Sequence, residues 1–171
     1  MLISEVYTRL ADFITLVTQD FGVTVIYANQ NSPRPTKPFI TLSLNTFRVL
    51  AMPIKSKIDD DGIQDVITSL SFVATIEAYS DQLHQTEDLL NLVERYLRTN
   101  LAFLHFRDDM SYTRTLSGVS ALPTFEGVIT ESRSTMDVEF LVNMLTKDNV
   151  GIIEHLVITN TDTGTEITVD I

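Results

Sequence analysis

The sequence predicts an α+β protein: a mostly antiparallel β-sheet covered on one face by two α-helices, with a long β-hairpin loop and a C-terminal β-hairpin. Three observations predict it. Residues 3–21 and 82–100 repeat apolar side chains at steps of three and four, the helical period. Several other stretches alternate apolar and polar residues at period two. The helical stretches do not alternate regularly with the strand stretches, as a parallel doubly wound sheet requires.

The elements follow in order. Ile3, Val6, Leu10, Phe13, Ile14, Val17 and Phe21 form the first stripe, with Ser4 as the expected N-cap and Gly22 as the C-terminal stop. Residues 23–27 are a short β-branched run and read as a strand. Within 29–38, Pro33, Pro35 and Pro38 remove backbone donors and fix φ, so an extended arm is expected. Residues 39–49 read as a strand in which Ile40, Leu42 and Leu44 share a face. After Asn45 the apolar parity flips to Phe47 and Val49, which predicts a bulge or a change of neighbour.

Residues 50–63 have no clean period and lead into Asp59-Asp60-Asp61-Gly62, read as a long hairpin loop with an acidic tip or edge. Residues 66–79 form a long strand, with Leu70, Phe72, Ala74, Ile76 and Ala78 on one face. Ser80 and Asp81 are expected to cap a helix over 82–100, whose stripe is Leu83, Leu89, Leu90, Val93, Tyr96, Leu97 and Leu101. Arg95 and Arg98 suit the negative end of its macrodipole. Residues 101–106 extend that helix or pack under it, and 107–123 hold connections and short strands with Gly118 at a turn. Residues 125–145 hold one long strand or two joined by a bulge, with Met136, Val138, Phe140, Val142 and Met144 on one face. Strands at 153–159 and 166–171 flank a turn at Asn160-Thr161-Asp162-Thr163-Gly164.

Composition bounds the function. At 171 residues, with no repeat or linker, 1–171 reads as a single domain. Hydrophobic residues at 44% and charged residues at 20% argue against disorder. Without cysteine there is no disulfide, thiolate nucleophile or Cys-ligated zinc. A net charge of −11 disfavours a broad basic surface for nucleic acid. No apolar run approaches the ~20 residues of a membrane span, and the start lacks the basic n-region of a secretory signal, so no membrane partner is expected.

Chemical motifs are sparse. His84, His105 and His155 lack metal-pair spacing and read as unrelated structural or surface residues. Serines occur without a nucleophile elbow, and the six glycines form no phosphate loop. The Asp59–Asp61 run fails the EF-hand pattern, because Lys57 and Thr68 stand where oxygen ligands belong, so a solvated loop is expected. Glu131, Asp137 and Glu139 are near in sequence, but like charges on a solvated strand face are the ordinary case. Neither catalysis nor a cofactor or metal is expected. Interface signals are stronger: a Pro-rich arm, long strands, and Leu50–Ile58, read as either a loop over its own core or a contact surface.

Several segments carry a resemblance. They are Pro38-Phe39-Ile40-Thr41-Leu42 opening a strand, Glu77-Ala78-Tyr79 closing one before a helix, and Arg107-Asp108 after a Leu/Phe-rich stretch. They continue with Glu131-Ser132-Arg133-Ser134-Thr135-Met136-Asp137-Val138-Glu139-Phe140 and Val150-Gly151-Ile152-Ile153-Glu154. By element order and spacing over nearly the whole chain, this succession resembles the neck and tail-terminator proteins of tailed bacteriophages, the neck-terminator type in particular.

The resemblance implies a sheet with two covering helices and a homo-oligomeric ring, commonly hexameric, at the head-proximal end of the tail. It implies as partners the tail tube protein, the head–tail connector protein and, in contractile tails, the sheath protein. DNA passes through the lumen without sequence-specific binding, and an acidic chain suits such a passage because like charges repel. The implied location is the virion neck, after assembly in the host cytoplasm. The family has no catalytic residues to carry over. From the residues of this chain, Phe47, Val49, Leu50, Met52 and Ile54 are expected at a subunit or tube interface. Asp59, Asp60 and Asp61 are expected to line the lumen or meet a basic partner. The terminal hairpin and the Pro-rich arm depart from other terminators, leaving open which partner each end meets. Other readings are a head–tail connector, adaptor or tail-completion protein, a small ligand-binding domain or enzyme, and a host regulatory domain.

Overall fold

In the structure, a computed structural model, helix α1 spans Ile3–Val17 and buries Val6, Leu10, Phe13 and Ile14. The structure describes residues 3–28, 33–59, 61–82, 84–107, 110–122, 124–126, 129–150, 155–159 and 166–170. Ser4 lies inside the first turn, where its carbonyl accepts the Thr8 hydroxyl at 3.0 Å, so it is not the expected cap. The helix also stops earlier than its stripe suggests. The buried Thr18 hydroxyl donates to the Ile14 carbonyl (2.7 Å), and Gln19–Phe21 form a 3₁₀ turn. Gly22 closes it at φ 61°, a conformation that a Cβ would penalise.

Strand β1 (Thr24–Tyr27) pairs in parallel with β2 (Phe39–Val49), and β2 pairs antiparallel with β4 (Ile63–Ser80). The parity flip in β2 is a bulge: Asn45 faces Val73 and Arg48 faces Ser71, so two residues oppose one. Thr46 takes φ 53° there, and β2 keeps the same neighbour. Where β1 runs out beside β2, the Tyr7 hydroxyl of α1 accepts the Leu44 N–H at 3.0 Å. A backbone donor without a strand partner is satisfied by a helix side chain.

Strand β3 (Ile54–Lys55) adds to β4. The second helical stretch is divided. Helix α2 covers Gln85–Leu97, Thr99 is extended, and α3 covers Asn100–Phe106. Ser80 does not cap α2. His84 holds that position in a left-handed conformation, while Ser80 accepts the Gln82 N–H (3.0 Å) and bonds the Gln85 side chain. Leu83 lies outside the described residues. Thr86 is buried and bonds Ser134 (2.8 Å) and Ser132 (3.0 Å), which fixes the start of α2 against the sheet.

Strands β5 (Met110–Ala121), β6 (Thr124–Glu126) and β7 (Ile129–Asn149) follow, and β7 is one continuous strand. Gly118 is not at a turn. It lies within β5, where the register shifts between Ser117 and Ser120. The sheet order is β1-β2-β4-β7-β5, with β3 on β4 and β6 on β7. Ser69 bonds Asn143 and Thr75 bonds Asp137, so one number falls as the other rises and β4 and β7 run antiparallel. β1–β2 is parallel, whereas β2–β4, β3–β4, β5–β7, β6–β7 and the terminal hairpin are antiparallel.

The chain forms two compact units, and both β4 and β7 contribute to each. The first comprises Met1–Met52 and Thr68–Met144. One face of its sheet is the core: Ile40 and Leu42 of β2, Phe72, Ala74, Ile76 and Ala78 of β4, and Met136, Val138, Phe140 and Val142 of β7. The helices close over that face with Leu10, Phe13, Ile14, Leu90, Val93 and Phe106. The second unit comprises Pro53–Ile67 and Leu145–Ile171. It holds β3, the outer ends of β4 and β7, and the terminal hairpin of β8 (His155–Thr159) and β9 (Glu166–Asp170), paired antiparallel. The turn expected at 160–164 lies outside the described residues.

Phe72 is fully buried and stacks on Phe140 at 5.4 Å and on Phe47 at 5.5 Å. Phe72→Ala should cost about 3–5 kcal/mol in urea unfolding, the range for large-to-small core changes. Phe47→Ala should cost about 1 kcal/mol, because its ring keeps water contact.

Candidate functional site

The second unit carries the acidic turn. Asp59 organises it: its carboxylate accepts the N–H groups of Ile63 (2.8 Å) and Asp61 (3.1 Å). Its own N–H donates to the Ile63 carbonyl (2.8 Å), and Gly62, at φ 75°, donates to its carbonyl. Asp59 is therefore a turn former. Asp61 is exposed, and Asp60 lies outside the described residues. Among the described residues no group of His, Asp or Glu could hold a metal ion.

The same unit presents an apolar row. Ile54 faces Ile67 across β3 and β4. Gln64 bonds Asp148, and the Val150 N–H donates to the Gly62 carbonyl, a register that places Leu145 beside Ile67. Residues directly opposite share a face. Ile54, Ile67 and Leu145 thus line up across three strands, all exposed, Ile54 at 68%.

The exposed apolar side chains of the first unit include two groups. At the end of β2, Val49, Leu50 and Met52 face solvent, Met52 at 91%, while Phe47 rests partly on Phe72. The Leu50 N–H still donates to the Ser69 carbonyl (3.1 Å), so β2's pairing persists beyond Val49. The second region is a groove of about 970 Å³ beside α3, bordered by the end of α2, β5 and β7. Exposed Phe103, Leu104 and Leu141 stand along it, and Phe106 and Met110 lie beneath. Among the described residues its charged lining comes from Arg98, which pairs with Glu94 at 2.6 Å, and Arg107.

On the sheet face away from the helices lies an ion cluster. Lys37 of the Pro-rich arm bonds Asp81 and Glu131, each at 2.8 Å, and Arg34 approaches Glu131 at 3.7 Å. Glu131 is only 5% exposed. Bonds to Asp81 and then Glu131 hold Lys37 protonated above its ordinary range, against the effect of burial. Arg133 bonds Glu77 at 2.5 Å, and Glu77 also accepts Tyr79 (2.8 Å) and Thr41 (3.4 Å). Burial pushes the Glu77 carboxyl up, but Arg133, Tyr79 and Thr41 outweigh it and hold it below its ordinary value. Burial, then the Glu77 carboxylate, pushes the Tyr79 hydroxyl up to about 12. The Tyr79 ring stacks on Phe39 at 4.7 Å, with Arg34 and Arg133 near its face. Among the described residues three cations, Arg34, Lys37 and Arg133, face three carboxylates, Glu77, Asp81 and Glu131, and the pairs fasten the arm to the sheet.

The sequence profile of the family described as phage neck terminator protein matches residues 4–166. The chain belongs to that family. As a neck terminator it has a structural, tail-related role, in agreement with the resemblance read from the sequence. No curated protein matches the chain.

In this terminator the expected interface residues split between the two units: Phe47, Val49, Leu50 and Met52 in the first, Ile54 in the second. The carboxylates weighed as an acid–base set have separate partners: Glu131 with Lys37, Asp137 with Thr75 (2.6 Å), Glu139 with Arg114 (2.8 Å). His84 pairs with Glu87 (2.9 Å), and His105 contacts the Arg9 carbonyl (3.0 Å) between Phe13 and Phe106. Sequence reading missed the groove and the ion cluster. The cluster's partners are far apart along the chain, and only Lys37 beside Pro38 and the Glu131-Ser132-Arg133 run hint at it.

Glu77 has a depressed folded pKa, so its contribution is present above about pH 4.5 and is lost as pH falls through the folded value. Glu77→Gln should lower stability at neutral pH and flatten its decline between about pH 5 and pH 3 in urea melts. Asp59→Ala should raise amide exchange at Asp61 and Ile63, while Asp61→Ala should leave both unchanged.

Proposed function

We propose that the chain acts as one terminator domain and assembles into a ring, taken as a hexamer, that caps the head-proximal end of the phage tail tube. The opposite face of the ring docks the head–tail connector, and in a contractile tail the ring also meets the sheath. DNA passes through the lumen without sequence recognition. The observation that carries this reading is the neck-terminator match over 4–166.

Physical features support it. Val49, Leu50, Met52 and Ile54 expose apolar side chains near one another in the chain, as a surface awaiting a partner does. Burying apolar area contributes about 25 cal/mol per Å² before the costs of association. A net charge of −11 keeps DNA from adhering, and Asp61, with its neighbours Asp59 and Asp60, would line the lumen or meet a basic partner. Head-to-tail contacts around a rotation axis close on themselves, so a ring ends tube growth without leaving a free edge.

Light scattering with and without isolated tail tubes tests the reading. A discrete multiple near six subunits, or rings appearing only at tube ends, is expected. A monomer indifferent to tubes would shift the assignment to a head–tail adaptor. Leu50→Asp with Met52→Asp should leave the melting curve near wild type and abolish assembly. If the pair unfolds the subunit, the segment belongs to the core.

A further inference from the structure

We propose that Met52 is an oxidation site that sets whether the chain can assemble. A peroxide converts its thioether to the sulfoxide, and the sulfoxide form does not join a ring; this second half rests on the ring reading above. The chain has five methionines, and their surroundings differ sharply. Met110 and Met136 belong to the core, at 4% and 0% exposure. Met144 is half-buried, and Met1 lies outside the described residues. Met52 is 91% exposed, more than any other large apolar side chain among the described residues. It follows the end of β2, in the first unit, next to exposed Val49 and Leu50.

The reaction needs only access to sulfur. A sulfur lone pair attacks one oxygen of hydrogen peroxide, the O–O bond breaks, and an S–O bond forms. The other oxygen leaves as water after a proton shift. Sulfur loses two electrons and the peroxide gains them. An apolar, flexible side chain becomes a polar one with a strong acceptor.

Assembly and oxidation then oppose one another. In the free subunit the new oxygen faces water, so the fold is spared. In a contact that buries Met52, the oxygen loses its water, and Val49 and Leu50 offer it only hydrocarbon side chains. The Leu50 N–H already donates to the Ser69 carbonyl. A ring that covers Met52 shields its sulfur in turn, so the free chain is sensitive and the assembled chain is protected.

The absence of cysteine leaves methionine as the main peroxide target and makes the test clean. The chain is treated briefly with dilute hydrogen peroxide, mapped by peptide mass spectrometry, melted, and added to isolated tail tubes. Met52 should gain oxygen several-fold faster than Met110 and Met136, with an unchanged melting temperature. Capped tubes should fall several-fold, and methionine sulfoxide reductases should restore them. Met52 in rings already on tubes should oxidise several-fold more slowly. Met52→Leu should cap tubes equally well before and after peroxide. Oxidation of Met110 or Met136 as fast as Met52 overturns the site. Full Met52 sulfoxide with undiminished capping overturns the assembly effect and keeps the ring reading, as does Met52→Leu losing capping under peroxide like the wild type. Untreated chain that never caps tubes removes the ring reading and the assembly effect with it, while the oxidation rates still decide the site.

Discussion

The first unit hangs on a file of aromatic rings that crosses from sheet to helices. Phe47 stacks on Phe72, Phe72 on Phe140, Phe140 meets Phe106 edge-on at 5.6 Å, and Phe106 leans on Phe13 at 4.9 Å. The rings come from β2, β4, β7, α3 and α1, so one contact chain fixes five elements that are remote in sequence. Such pairs contribute about 0.5–1.5 kcal/mol each beyond the area they bury. Their geometry also explains local oddities. The bulge at Thr46 returns Phe47 to the core face, and the break at Thr99 separates α3, which carries Phe106, from α2.

The opposite face of the sheet is held by polar contacts that repeat across strands. Ser69 with Asn143, Thr75 with Asp137, and Arg114 with Glu139 join neighbouring strands pair by pair. The ion cluster completes this face and binds the Pro-rich arm through Lys37 and Arg34. An arm whose prolines supply no backbone donors cannot join a ladder, so side-chain charge holds it instead. With this face closed by ion pairs, exposed apolar side chains of the first unit lie elsewhere, at the end of β2 and beside α3.

Those surfaces are local and distinct in character. The β2 end is a run of consecutive exposed residues. The ribbon presents a cross-strand row with an acidic turn, and the groove pairs aromatic and aliphatic walls with arginine. Their difference suits a subunit with several partners, since charge and shape both discriminate between them. Asp59 illustrates the economy of the turn: the carboxylate that looks like part of an acidic patch is spent on two backbone donors.

The sequence by itself determined the class of fold, the strand faces and the family. Period-two patterning over residues 40–45, 70–78 and 136–142, interrupted at Val73 and Leu141, is satisfied by burying one face, and the parity change after Asn45 encodes the bulge. It misplaced what depends on backbone hydrogen-bond competition: Ser4 and Ser80 as caps, Gly118 at a turn, and one helix where there are two. Cap and break positions turn on one or two kcal/mol of local preference, which packing overrides. Only the tertiary structure decided which strands neighbour one another, that Lys37 meets Glu131, and that Phe103 and Arg107 border one groove. These pairings join residues remote in sequence, and no local pattern records them, because loop closure leaves no periodicity in the chain.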